Sequence, residues 1–221
     1  MNRLLLHNKQ SLGKQIGWWA FFLICILYAL YSFYMGGVEL LSILGIATDG
    51  PERAVPIVFV IHAFTGGMAL LVGPLQFKRQ LLGQRRRLHR ILGRIYVGSI
   101  WITSSGALIS ALFFDVTVVA KIGFVILAVL WFGTTTIGLQ RILHGQIAAH
   151  REWMMRSFAL SFFFVTFSFW VPGLTSTSLP ESVSFPLAVF LSWSLNLIVA
   201  EIYIRQTRRK ESPILVREAL S

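Results

Sequence analysis

Long apolar runs separated by short polar segments make up most of the chain. A helix needs about 20 residues to cross a bilayer. Six runs meet that need: residues 17–34, 55–76, 95–114, 116–141, 153–173 and 185–203. No charged residue falls in the middle of any of them. In hydrocarbon every backbone polar group must be satisfied within the segment, so each run is expected to be a helix. The expected architecture is an all-α integral membrane protein of six transmembrane helices in a single membrane domain spanning 1–221. Residues 1–16 form a tail, 17–205 the bundle and 206–221 a basic tail. The first run follows a long polar lead without a small-x-small cleavage site, so it is expected to remain as a helix.

Composition supports lipid as the solvent. Charged residues make up 13% of the 221 residues, against roughly 25% in an average soluble protein. Hydrophobic residues make up 55%, with 18 Phe and 7 Trp. A water-soluble domain this apolar would expose large patches and aggregate, and disordered chains are poor in aromatics. The single cysteine, Cys25, makes no internal disulfide, and no Cys-x-x-Cys site exists.

The net charge of +11 would suggest nucleic acid in a soluble protein. In a membrane chain it points to loops beside anionic lipid, and no nucleic-acid partner is expected. All of the 20 Lys and Arg except Arg53 and Lys121 fall in the tails and in the 2–3 and 4–5 connections. Arg3, Lys9 and Lys14 precede the first run. Lys78, Arg79 and Arg85 through Arg94 follow the second, and Arg141, Arg151 and Arg156 flank the 4–5 turn. Arg205, Arg208, Arg209, Lys210 and Arg217 close the chain. The other connections carry Glu39, Asp49, Glu52, Asp115 and Glu181. Cations favour the cytoplasmic side, so both termini are expected there.

The two basic turns repeat one pattern. Leu75-Gln76, Gly83-Gln84, His89-Arg90 and Arg94 recur as Leu139-Gln140, Gly145-Gln146, His150-Arg151 and Arg156. Both copies run in the same direction through the membrane, so a duplication would have its axis along the membrane normal. Helices 2–3 and 4–5 would form a pseudo-symmetric four-helix core, with helices 1 and 6 outside. That axis brings His89 and His150 toward each other. Two neutral imidazoles on facing helices suit axial ligation of haem iron, or of another metal in a bundle. Arg90, Arg94, Arg151 and Arg156 beside them suit propionates or phosphates, which guanidinium forks grip bidentately. Interfacial anchoring to lipid headgroups is the competing reading.

His62 lies about 10 Å into the second run, at 1.5 Å per residue. An ionisable residue at that depth is a functional candidate, here for cofactor binding. Gly66 and Gly67 follow one turn later and permit close approach of a helix or a flat group. The alternative is a hydrogen bond from His62 to a Ser or Thr on a facing helix. Glu201 is expected to pair with Arg205 four residues on, and Asn196 to hold helices together. The small polar runs 103–106 and 133–136 suggest close helix packing. There is no Walker loop, His-Glu-x-x-His or nucleophile elbow. The membrane runs hold no paired acids, which weakens a proton- or sodium-coupled transporter.

The stretches HAFTGG at 62–67, GPLQF at 73–77, HRILGRIYV at 89–97 and HREWMMRSFAL at 150–160 resemble a bacterial membrane family, domain of unknown function 2306. The resemblance spans roughly residues 55 to 205 and implies a bacterial cytoplasmic membrane. The histidines are also similar in kind to those of small b-type transmembrane cytochromes. They depart from that pattern because His62 has no counterpart at its own depth. The leading expectation is a redox protein binding haem b or a metal through His89 and His150, with quinone as electron partner. A second is a transporter or lipid-handling protein whose His–Arg cluster binds an anionic headgroup or solute. A third is an accessory subunit of a larger membrane complex.

Overall fold

The computed structural model describes residues 12–46, 55–77 and 86–219. Asp49, Glu52, Arg53, Lys78, Arg79, Gly83-Gln84 and Arg85, like Arg3 and Lys9, lie outside the described residues. The described chain is helical throughout, apart from turns. Its helices are α1 (Leu12–Ile43), α2 (Pro56–Val72), α3 (Arg86–Phe113), α4 (Val118–Leu143), α5 (Ile147–Ser161), α6 (Phe163–Thr175) and α7 (Glu181–Ala219). A 3-10 turn, Pro74–Phe77, extends α2. The fifth span is α5 and α6 in series. Six spans are long and apolar enough to cross a membrane, as the hydropathy pattern implies.

The helices overrun the apolar runs. Hydropathy ends where the headgroups begin, but the backbone hydrogen-bond ladder does not need hydrocarbon to continue. α1 runs to Ile43 rather than stopping at residue 34. Glu39 therefore lies within a helix and is 4% exposed, not in the 1–2 connection. Gly36 favours this extension: a Cβ there would come within 3.2 Å of Ala63 and 3.1 Å of the Phe64 ring, so only glycine lets α1 lie this close to α2. α3 begins at Arg86 rather than residue 95, so His89, Arg90 and Arg94 stand in its first turns. α5 begins at Ile147, which places His150 in its first turn. α7 continues past residue 205 to Ala219.

Spans two to five close a ring: α2 packs on α3, α3 on α4, α4 on α5, and α5 back on α2. α1 lies outside against α2 and α6, and α7 outside against α4, α5 and α6. The turn from α4 to α5 is tight. Gly145 takes φ +74°, a conformation that glycine adopts without steric cost. Gln146 N then closes onto Arg141 O at 2.8 Å.

The fifth span is interrupted at Phe162. Asn196 bridges the interruption, donating from Nδ2 to Ala159 O and to Thr166 Oγ1, each at 3.1 Å. It thus ties α7 to both halves of the span. An interruption in lipid is tolerated where a neighbouring helix supplies such bonds.

Candidate functional site

The first turns of α3 and α5 carry His89 and His150. These helices are diagonal in the ring, and the two turns lie at the same end. His150 Nδ1 lies 2.8 Å from Gly138 O. A carbonyl only accepts, so Nδ1 carries the proton and donates it. The free lone pair is then on Nε2. Metal-binding histidines are oriented in this way, with one ring nitrogen donating to a backbone carbonyl and the other left as ligand. Gly138 allows the approach, because a Cβ there would come within 2.8 Å of Met154 Sδ.

His89 is half-buried, and its Nδ1 is buried without a partner among the described residues. Gln76, in the turn that ends the second span, is 9% exposed, and its Nε2 also lacks a partner among them. Its Oε1 faces Gly93, where a Cβ would sit 3.4 Å away. Gly93 is one turn beyond His89 on α3.

Two ion pairs fasten this end. Arg156 Nε donates to Glu201 Oε1 at 2.5 Å and Nη2 to Oε2 at 3.3 Å. The same guanidinium lies 4.7 Å from the centroid of the Trp153 ring. Glu201 therefore pairs across helices, and not with Arg205 along its own helix. Arg205 adds only a longer-range attraction. The position of α7 against α5 decides this, and helical spacing alone does not reveal it. Glu152 takes a bidentate bond from Arg208. Arg90, Arg94 and Arg151 are exposed at the same end.

His62 is elsewhere. Its partner Thr103 lies fourteen residues beyond His89 on α3, about 21 Å along the axis. His62 Nδ1 donates to Thr103 O at 2.8 Å, and Thr103 Oγ1 donates back to His62 O at 3.0 Å. The bond to a threonine on a facing helix is therefore present, and it uses Nδ1, as the bond of His150 does. Gly106 lets the helices close here, since its Cβ would be 3.3 Å from His62 Cβ. His62→Leu is expected to fold, because Thr103 Oγ1 keeps its bond to the residue-62 carbonyl. Its melting temperature in detergent should fall by no more than a few degrees, about what 1 kcal/mol produces in a chain of this size.

A buried hydroxyl cluster lies between these two regions, and the sequence pattern did not single it out. Tyr96, 1% exposed, follows His89 by two turns, and Ser157 follows His150 by two turns. Thr135 Oγ1 donates to Trp131 O at 2.9 Å, so Ser157 supplies the proton in its 2.6 Å bond to Thr135. Ser161 donates to Ser157 O at 3.1 Å and accepts from Trp131 Nε1 at 2.9 Å. The Tyr96 hydroxyl therefore donates its one proton, shared between the Ser157 and Ser161 oxygens, each at 3.0 Å. Every proton is placed, and α3, α4 and α5 are locked together at mid-depth. The seven-residue spacing of His89, Tyr96 and Thr103 on α3 was the available signal.

Fold and site together define a six-span helical membrane protein with a histidine pair at one end of a four-helix ring. The chain belongs to the DUF2306 family, described as a predicted membrane protein, which it matches over residues 59–204. No curated protein and no solved structure matches it.

Proposed function

We propose that the chain is a multi-pass protein of the bacterial cytoplasmic membrane, with both termini cytoplasmic, that binds haem b between His89 and His150 and serves in electron transfer. The observation that supports this reading is that two histidines stand in the first turns of diagonal helices at the same end of the ring. One of them has its Nδ1 committed to a carbonyl. Among the described residues no three His, Cys, Asp or Glu side chains cluster to hold a metal ion. Two protein ligands suffice for haem, whose porphyrin fills the remaining positions, whereas a structural zinc takes four. This favours haem over a bare ion.

Haem supplies a one-electron centre, and the protein's task is to hold and tune it. His150 is kept in one tautomer by Gly138 O. Exposed Arg90, Arg94 and Arg151 are placed to pair with propionates. Arg156, held by Glu201, sets α5 against α7 and fixes where His150 stands. The test is the visible spectrum of protein purified from haem-replete cells, with haem counted as its pyridine complex. A b-type Soret band at a stoichiometry near one is expected. Colourless protein overturns the reading.

The exposed arginines at this end support a second reading, an anion- or lipid-binding surface for a transporter or for an accessory subunit of a membrane complex. That reading requires binding that weakens with salt, since exposed charges are screened beyond about 8 Å at physiological ionic strength.

A further inference from the structure

We infer that Gln76 and His89 form a seat for the ring of a membrane quinone, with the Gln76 amide and the His89 Nδ1 as its two hydrogen-bonding groups. Among the described residues five buried side-chain atoms lack a partner: Gln76 Nε2, His89 Nδ1, Ser110 Oγ, Ser184 Oγ and Trp193 Nε1. Ser110 lies near the far end of α3, Ser184 in the first turn of α7, and Trp193 midway along α7. Of these, Gln76 and His89 share a neighbour, since Gln76 Oε1 faces Gly93 and Gly93 is one turn beyond His89 on α3. A buried polar group left unpaired costs about 1–3 kcal/mol. Native proteins hold few such groups, and two in one place call for a ligand that satisfies both.

The chemistry of the pair narrows the ligand. An amide nitrogen only donates, so Gln76 needs an acceptor oxygen. An imidazole nitrogen donates or accepts according to tautomer. A quinone carbonyl accepts from Gln76, and a quinol hydroxyl donates to His89, so both redox forms are matched. Gln76 and His89 both lie in segments long and apolar enough to cross a membrane, so a ligand that reaches them from the bilayer must itself partition into lipid, as a quinone does. The seat rests on the two unpaired atoms and does not require the haem, although a quinone there would be beside the proposed redox centre.

The experiment is photolabelling of the full chain in detergent with an azido-quinone, with labelled peptides mapped by mass spectrometry. Unlabelled decyl-quinone or oleate is added as competitor. Label on the segments around Gln76 and His89 is expected, displaced by decyl-quinone and not by oleate. Gln76→Leu should lower it by about tenfold, the equivalent of one lost hydrogen bond to a buried group. Gln76→Met, close in length but without a hydrogen-bonding head, should do the same and decides the case if the leucine variant fails to fold. Label elsewhere, equal displacement by oleate, or wild-type labelling in Gln76→Met overturns the inference. Haem counted in the same samples keeps the two proposals apart, because specific labelling of haem-free protein supports the seat while it overturns the haem.

Discussion

His150→Ala protein is expected to lose its Soret band, with haem content falling on the order of tenfold or more, while still eluting as a single folded species. In the proposed reading His150 would be one of the two residues that hold the haem, and the variant lacks its donor nitrogen. The structural cost should be small. His150 stands in the first turn of α5, where few helical bonds depend on it. Its single hydrogen bond, to Gly138 O, is worth about 1 kcal/mol net. His89→Ala should lose haem equally, and it sharpens the test. The His89 Nδ1 is a buried atom without a partner among the described residues, so in haem-free protein removing it relieves a penalty and should leave thermal stability unchanged or raised. A histidine retained only for packing would show the opposite, with stability lost and the spectrum unmoved. Wild-type haem in either variant sinks the assignment of axial ligands.

Gly73→Leu is expected to be the most damaging single change to the fold. Gly73 ends α2 and lies against the Phe158 ring of α5. An added Cβ would overlap that ring and would sit 2.9 Å from Ala69 O. Neither neighbour can yield easily. Ala69 O is backbone, already bonded to Gly73 N at 2.9 Å. Phe158, 7% exposed, is packed among Phe21, Phe77 and Phe162. Overpacking of this kind costs about 3 kcal/mol or more, which corresponds to a drop on the order of 10 °C in a chain of this size. Gly133→Leu is the matched control, since nothing lies within 4 Å of a Cβ there. The comparison is read by thermal unfolding and size exclusion in detergent. Equal melting of the two variants would contradict the packing of α2 on α5.

The six spans, their order and the basic character of alternate connections were legible in the sequence. Lipid imposes a one-dimensional rule, because each apolar run must satisfy its own backbone and cations gather on one side. That rule places residues by depth. It brought His89 and His150 to the same end because the repeated turns have the same direction through the membrane. It did not place the helix ends, since helices outlast the hydrocarbon, and so Glu39, His89 and His150 are helical residues.

Which side chains meet at a given depth was settled only by tertiary packing. Glu201 had Arg205 four residues away and chose Arg156, because α7 lies against α5 and offers a bidentate fork. His62 has no partner legible in its own span, and the close approach at Gly106 brings it to Thr103. The Tyr96 cluster joins three spans, and no single span contains the signal. Gln76 shows the limit most clearly. In sequence it is one half of a repeated Leu-Gln pair. That its amide is buried without a partner depends on the helices around it. Depth follows from composition along one axis. Azimuth depends on which small residues let two helices close, and that is a property of pairs of segments distant in the chain.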